Sequence, residues 1–162
     1  MARVYLGLGS NIRPEENLRL GIRELGRRFG HLDLSRVYRS AAVGFAGDDF
    51  LNLVVGFSSD VAPLEIHQQI ESIHERAGRE RGSNRNASRP LDIDLLLYDD
   101  LLIEHPKFRL PRPDVLKYGF VLRPLSELEP ELVHPETGRT MREHWQEFDA
   151  SSHPLEPVSV IL

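Results

Sequence analysis

Two aspartates interrupt an otherwise apolar segment of the chain. Asp92 and Asp94 lie in RPLDIDLLLYD, residues 89–99. An ionised carboxylate is costly to desolvate without a partner, so a cation is expected beside this pair. Residues i and i+2 of a strand point to the same face, and the two carboxylates should therefore project together. Carboxylates placed side by side can hold Mg²⁺ together with substrate phosphates.

The segment just upstream of these aspartates is rich in arginine. Between residues 76 and 89, Glu80 is the one acid among five arginines, which are Arg76, Arg79, Arg81, Arg85 and Arg89. The glycine, serine and asparagine residues among them favour a loop. Arginine forks match phosphate oxygens, and nearby carboxylates can hold the magnesium ion of a nucleotide. The sequence therefore predicts a site for a nucleoside triphosphate with Mg²⁺.

Two other interpretations of these residues stay open at this point. The D-x-D pattern also occurs in amphipathic edge strands with solvated aspartates, and short patterns often match by chance. Paired aspartates beside arginines could instead form a nuclease site. The net charge of −5 and the lack of aromatic residues among the arginines argue against a nucleic-acid partner.

The elements that hold these residues are predicted to follow the order βαββαβ. Strands are expected at residues 3–8, 35–40, 50–57 and 91–98. A first helix begins at Pro14, and a second has Asp60 as its N-cap and Pro63 in its first turn. Connection rules fold this order into an α+β protein with a ferredoxin-like core. We expect a two-layer sandwich, in which helices cover one face of an antiparallel sheet.

Further elements are expected after this core. Residues 101–118 should form extended segments and turns, and short helices are expected near residues 123–128 and 139–148. We expect a single domain over residues 1–150. The tail, residues 151–162, should pack on that domain and end in a strand over its last five residues.

The composition excludes several classes of protein. The chain has 162 residues, of which 40% are hydrophobic and 28% charged, as is typical of a globular protein with a packed core. It has no cysteine, which excludes disulfides, thiolate metal sites and cysteine nucleophiles. No apolar run approaches ~18 residues and no signal-peptide pattern is present. We therefore expect a cytoplasmic protein without membrane contact, and a monomer.

Several segments resemble one known family, in order and at nearly matching spacing from about residue 3 to residue 148. They are VYLGLGSN (4–11), VYRS (37–40), F-x-N (50–52), R-x-L-D-I-D (89–94), G-F-V-L-x-P-L (119–125) and E-L-E-P-E-L (127–132). They resemble the 6-hydroxymethyl-7,8-dihydropterin pyrophosphokinase family of folate synthesis. The resemblance implies a ferredoxin-like fold, ATP as co-substrate and two Mg²⁺ ions. It also implies transfer of the β,γ-diphosphate to the hydroxymethyl group of the pterin, with release of AMP.

The resemblance also implies roles for individual residues. The metal ligands would be Asp92 and Asp94, and Arg79, Arg81 and Arg89 would complete the catalytic set. The nucleotide would be contacted by the same arginines together with Glu71, His74, Lys107 and Arg112. The pterin pocket would be formed by Val43, Gly44, Phe50, Asn52 and Phe120. Phe120 would stack on the pterin ring and Asn52 would bind its polar edge. Without the resemblance, Phe50 and Phe120 would be interpreted as core residues.

At other positions the sequence departs from the family pattern. The loop aromatic of the family is Asn86 here, its Gly-Pro is Ala87-Ser88 and its proline pair is Ala41-Ala42. A helix acid aligns with His74, a histidine with Arg112 and an arginine with Tyr118. These changes leave one alternative, a divergent paralogue that binds Mg·ATP or a pterin with low or altered activity. Outside the family alignment, His74 and His67 would be read as surface or loosely packed histidines.

Overall fold

The computed structural model describes residues 1–78 and 90–162. The strands of this part are β1 Ala2–Ser10, β2 Asp33–Leu34, β3 Val37–Ser40, β4 Phe50–Ser59, β5 Asp92–Tyr98, β6 Ile103–His105, β7 Phe108–Leu110 and β8 Glu156–Val158. The helices are α1 Pro14–Phe29, α2 Pro63–Arg76, α3 Asp114–Lys117, α4 Gly119–Leu128 and α5 Met141–Glu147, followed by a 3₁₀ turn at Ala150–Ser152. In the described part, no helix combines the length and apolarity needed to cross a membrane.

The main sheet is antiparallel and has the strand order β5-β1-β4-β3-β8, with β2 also paired to β4. The four core strands are β1, β3, β4 and β5. Numbered one to four in chain order, they lie side by side in the order four-one-three-two. This is the ferredoxin-like arrangement, and the predicted α+β class is confirmed. Strands β6 and β7 form a separate two-stranded ribbon.

Helices α1 and α2 cover one face of this sheet. Leu18 and Leu25 of α1 and the isoleucines of α2 (Ile66, Ile70, Ile73) are buried against the sheet at helical spacing. The predicted N-cap of α2 is wrong. Ala62 occupies the N-cap, because Pro63 takes the first helical position, which suits its fixed φ and missing N–H.

The C-terminal helices cover the opposite face of the sheet and add a further layer to the expected two-layer sandwich. Leu125 of α4 and Met141 of α5 are buried there with Tyr5, Val54 and Leu96 from the strands. Residues 101–118 were expected to form only extended segments and turns, which is wrong near the end of this range, where α3 forms. Helix α4 begins at Gly119, earlier than predicted, because Tyr118 leaves α3 in an extended conformation and starts the next helix.

The tail pairs with the free edge of β3. Strand β8 lies earlier than the predicted C-terminal strand, because Val158 pairs with Val37, the first residue of β3. Beyond that point the tail has no partner strand on this edge in the described part of the sheet. Val158, Val160 and Leu162 still pack against the first core, and Arg39 pairs with Glu156 at 3.3 Å.

Candidate active site

The two aspartates project from β5 toward the face covered by the C-terminal helices. Asp92 and Asp94 are partly exposed, whereas Ile93 and Leu95 are buried in the core under α1 and α2. The period-two alternation expected from the sequence is therefore present. On the neighbouring strand β1, Asp92 lies opposite Gly9 and Asp94 lies opposite Gly7. Their carboxylates thus stand beside a stretch of β1 that carries no side chains at these two positions.

The two glycines form an open floor between β5 and β4. A Cβ atom at Gly9 would lie 3.0 Å from Oδ1 of Asn52, which is its partner on β4. A Cβ atom at Gly7 would meet Leu96 at 3.5 Å, an ordinary contact. Because Asp92 and Asn52 are two strands apart in one row, their backbones are separated by about 10 Å. A flat ring can therefore lie over Gly9 between the carboxylates and the amide.

An aromatic cavity stands over this floor. It has a volume of about 150 Å³, and Val43, Phe50, Asn52 and Phe120, all predicted for the pterin, line it. Gly44 is next to Val43 in the chain, with a φ of 80°, but is not among the lining residues. The cavity is also lined by residues for which no binding role was predicted: Gly7, Gly9, Ser40, Phe45 and Tyr118.

Asn52 has one end of its amide fixed by the protein. Its Nδ2 donates hydrogen bonds to Oγ of Ser40 at 2.8 Å and to the carbonyl of Tyr38 at 3.4 Å. Asn52 is 5% exposed, and its Oδ1 faces the position above Gly9. The fixed donor end leaves a buried acceptor directed at the cavity, which suits the N–H groups of a heterocycle.

A second, more polar cavity adjoins the first on the other side of the aspartates. The two cavities share Asp92, Asp94 and Tyr118. The second is also lined by Glu71, His74, Lys107, Arg112, Asp114 and Lys117. Its lining thus carries three cations and four carboxylates, a combination that suits a polyphosphate held together with a divalent metal. The two aspartates therefore lie where an aromatic cavity and this charged cavity meet.

Arg112 contacts the aspartate pair directly. Its guanidinium lies 3.5 Å from Oδ1 of Asp94 and 3.2 Å from Oδ2 of Asp114, and its backbone N–H donates to the carbonyl of Leu96 at 2.9 Å. Burial acts to lower the pKa of Arg112, but the charges of Asp94 and Asp114 outweigh it and the pKa is raised. The side chain is therefore a fixed cation beside a predicted metal ligand.

His74 is buried, and the interpretation of it as a surface or loosely packed histidine is wrong. It is 3% exposed, its Nε2 accepts a hydrogen bond from the backbone N–H of Ile93 at 2.8 Å, and its Nδ1 lies 3.3 Å from Oε1 of Glu71. The cause is helical spacing, because residue 74 follows Ile66, Ile70 and Ile73 onto the side of α2 that faces the sheet. His67 is partly buried, its ring centroid lies 5.7 Å from that of Phe108, and burial lowers its pKa.

Some predicted residues lie outside the described part of the chain. Arg79, Arg81 and Arg89, together with Asn86, Ala87 and Ser88, fall in residues 79–89. Their roles stay predictions. Within the described part, sequence reasoning missed Asp114 as the second partner of Arg112, and Ser40 as the group that orients Asn52. No local pattern marks either residue, since each acts through a contact made by the tertiary fold.

Known proteins resemble the chain along most of its length. Residues 5–130 match the model of the 7,8-dihydro-6-hydroxymethylpterin-pyrophosphokinase family. The chain is 34% identical over 164 residues to the 2-amino-4-hydroxy-6-hydroxymethyldihydropteridine pyrophosphokinase of Aquifex aeolicus, which covers 100% of this chain and 99% of the relative. It is 39% identical over 142 residues to the enzyme of the same name from Porphyromonas gingivalis, which covers 84% of this chain and 96% of the relative.

Solved structures share the fold. The crystal structure of Plasmodium falciparum HPPK-DHPS with pterin and p-hydroxybenzoate has a TM-score of 0.76 and 15% sequence identity to this chain. The match covers 93% of this chain and 43% of the longer Plasmodium chain. At this identity the likeness establishes the fold, and it agrees with the ferredoxin-like strand order.

Proposed function

The chain belongs to the 7,8-dihydro-6-hydroxymethylpterin-pyrophosphokinase family, and we propose that the two adjoining cavities are where it carries out the reaction of that family. In that reaction the β,γ-diphosphate of ATP is transferred to 6-hydroxymethyl-7,8-dihydropterin, and AMP is released, in folate biosynthesis. One observation carries the assignment of the site. Asp92 and Asp94 lie at the junction of an aromatic cavity and a charged cavity that contains both cations and carboxylates.

In this proposal the pterin binds in the aromatic cavity. Oδ1 of Asn52 accepts a hydrogen bond from the polar edge of the ring, and Ser40 keeps the amide in that orientation. Phe50 and Phe120 supply apolar and stacking surface, and Gly9 leaves room for the ring plane. This seating directs the hydroxymethyl group toward the aspartates. Val43 lines the outer rim of this cavity, and the contribution of the neighbouring Gly44 through its backbone stays a prediction.

In this proposal the triphosphate binds in the charged cavity. Lys107 and Arg112 contact phosphate oxygens there, and Glu71 and His74 lie on the α2 side of the nucleotide. Arg79, Arg81 and Arg89 belong to the same site in this proposal. They would add charge-assisted hydrogen bonds to the phosphates and stabilise the charge that develops during transfer.

The metal site consists of Asp92 and Asp94. The donor set fits, because two carboxylates on one strand face supply hard oxygen ligands and the phosphates would supply more. Two Mg²⁺ ions, when bound, would neutralise phosphate charge on both sides of the transferred group. Asp92 and Asp94 orient the nucleotide at the mouth of the pterin cavity, within reach of the hydroxymethyl group.

The transfer balances without any other reactant. The hydroxymethyl oxygen of the pterin forms a bond to the β-phosphorus of ATP, and the bond from that phosphorus to the α,β-bridging oxygen breaks. The hydroxyl proton is released, and AMP leaves with the bridging oxygen. The protein has mainly to position the two substrates in line and to stabilise charge, as in other phosphoryl transfers.

The proposal is tested by measuring AMP formed from ATP and Mg²⁺, with and without 6-hydroxymethyl-7,8-dihydropterin. AMP formation that requires the pterin supports it. Tight binding of pterin and Mg·ATP without AMP formation would contradict it and would identify a divergent, non-catalytic paralogue. We also propose a cytoplasmic monomer, which light scattering and cell fractionation test.

A further inference from the structure

Arg112 lies between one predicted metal ligand and one carboxylate outside the metal pair. The guanidinium is 3.5 Å from Asp94 and 3.2 Å from Asp114, and its side chain is 26% exposed. The backbone of Arg112 is tied to β5 through Leu96, at 2.9 Å, so the side chain starts from a fixed point beside the metal pair. The described structure thus shows one cation shared by two acids, only one of which is a predicted metal ligand.

We infer that Arg112 is a positioning residue that makes metal binding depend on the nucleotide. In the empty protein it neutralises Asp94 and disfavours a metal ion there. When Mg·ATP arrives, Arg112 gives up Asp94, keeps Asp114 and turns its free N–H groups to a phosphate. This inference rests on the proposed function, because it takes Asp94 as a metal ligand.

The argument is electrostatic. A guanidinium within 4 Å of a carboxylate repels a divalent ion approaching the same oxygen, and partial burial reduces the screening by solvent and salt. Asp114 lowers the cost of replacing Arg112 by a metal ion at Asp94, since the guanidinium stays paired with Asp114. A triphosphate brings enough negative charge to reverse the balance at the site. Binding of metal and of nucleotide would then favour each other reciprocally.

The test is a titration of the empty protein with Mn²⁺, in which free Mn²⁺ is followed by its EPR signal in the absence of nucleotide. Arg112→Gln should raise Mn²⁺ affinity by about tenfold, which equals ~1.4 kcal/mol. Arg112→Lys keeps the charge and should stay close to the wild type. Asp114→Asn leaves Arg112 with Asp94 alone and should weaken Mn²⁺ binding, with a smaller effect when Arg112→Gln is also present.

The matched control is Lys117→Gln, which removes the same charge from a cation that lines the same cavity. A rise in Mn²⁺ affinity equal to that of Arg112→Gln would overturn the inference, because any loss of positive charge would then suffice. Unchanged affinity in Arg112→Gln, with a wild-type melting temperature, would also overturn it.

The proposed function fails separately from this inference. If the wild type forms AMP only with pterin but Arg112→Gln leaves the Mn²⁺ affinity unchanged, the inference is wrong and the proposed function stands. If Mn²⁺ binding is unaffected by Asp94→Asn, the proposed metal site is wrong and the inference falls with it.

Discussion

His74 of α2 accepts a hydrogen bond from the backbone N–H of Ile93, with 2.8 Å between Nε2 and N. Ile93 lies between Asp92 and Asp94, so this bond fixes the strand at the point where the carboxylates project. Because Nε2 is the acceptor, the neutral ring carries its proton on Nδ1, which faces Glu71 at 3.3 Å. The helix and the candidate metal site are thereby joined through one buried imidazole.

Replacing His74 should therefore affect both stability and turnover. His74→Leu leaves the buried N–H of Ile93 without its acceptor, and the free energy of unfolding should fall by about 1–3 kcal/mol. AMP formation should fall as well, since the aspartates lose a support of their strand. Denaturant unfolding and the AMP assay measure the two effects. His67→Leu, two turns earlier on the same side of α2 and packed on Phe108, is the control and should cost less than ~1 kcal/mol.

Asp92→Asn and Asp94→Asn should each abolish most turnover and leave the protein folded. Loss of a metal ligand should reduce the rate by about a thousandfold, or ~4 kcal/mol of transition-state stabilisation. Removing one of two neighbouring carboxylates relieves their mutual repulsion, and in Asp94→Asn the guanidinium of Arg112 keeps its contact with Asp114, so the melting temperature should stay unchanged. Asp100→Asn, in the exposed turn after β5, is the control. Near wild-type AMP formation in either variant would place the metal elsewhere.

Gly9→Ala should weaken pterin binding more than it affects folding. The added Cβ atom would lie 3.0 Å from Oδ1 of Asn52 and would fill part of the floor of the aromatic cavity. We expect a loss of about tenfold in pterin affinity, or ~1.4 kcal/mol. Calorimetric titration with pterin and a non-hydrolysable ATP analogue measures it. Gly26→Ala, in α1 with open space around it, should bind normally and be more stable by ~0.5–1 kcal/mol.

Asn52→Leu should reduce pterin affinity by removing the buried acceptor. An unpaired N–H of the bound pterin costs about 1–3 kcal/mol, which corresponds to roughly tenfold to a hundredfold in affinity. Ser40→Ala should act in the same direction but less, because it only releases the amide that Ser40 holds at 2.8 Å. Ser58→Ala, exposed on the same strand, is the control. Equal pterin affinity in Asn52→Leu and the control would remove Asn52 from the pterin site.

His134 should contribute to loss of stability in acid. Burial lowers its pKa below the ordinary value of 6.5, and the neighbouring His144 lowers it further, while Glu136 acts in the opposite direction. Below about 6.5 the unfolded chain therefore binds more protons than the folded one, and the free energy of unfolding decreases as the pH falls. His134→Gln should flatten this decrease, which unfolding measured at a series of pH values would reveal. A slope identical to that of the wild type, or equal flattening by the exposed His31→Gln, would exclude this role.

Local sequence was sufficient to predict the order of the core elements and the direction of the two carboxylates. The alternation around Asp92 and Asp94 sets which side chains share a face, because a strand has a period of two wherever it lies. Helical spacing likewise accounts for the burial of the isoleucines and of His74 on one side of α2. His74 was nevertheless expected at the surface because its ring is polar, and that expectation was wrong because a backbone N–H of another element satisfies the buried ring.

The sequence by itself thus determined the ferredoxin-like core, the pairing of two carboxylates on one strand face and the family resemblance. Only the tertiary structure decided which groups stand around them. Asn52 lies over Gly9 because β4 pairs with β1 in one particular register. Arg112 contacts Asp94 because its backbone N–H is hydrogen-bonded to the carbonyl of Leu96 in β5. Strand registers and contacts of this kind arise from packing between residues far apart in the chain, and local periodicity carries no information about them.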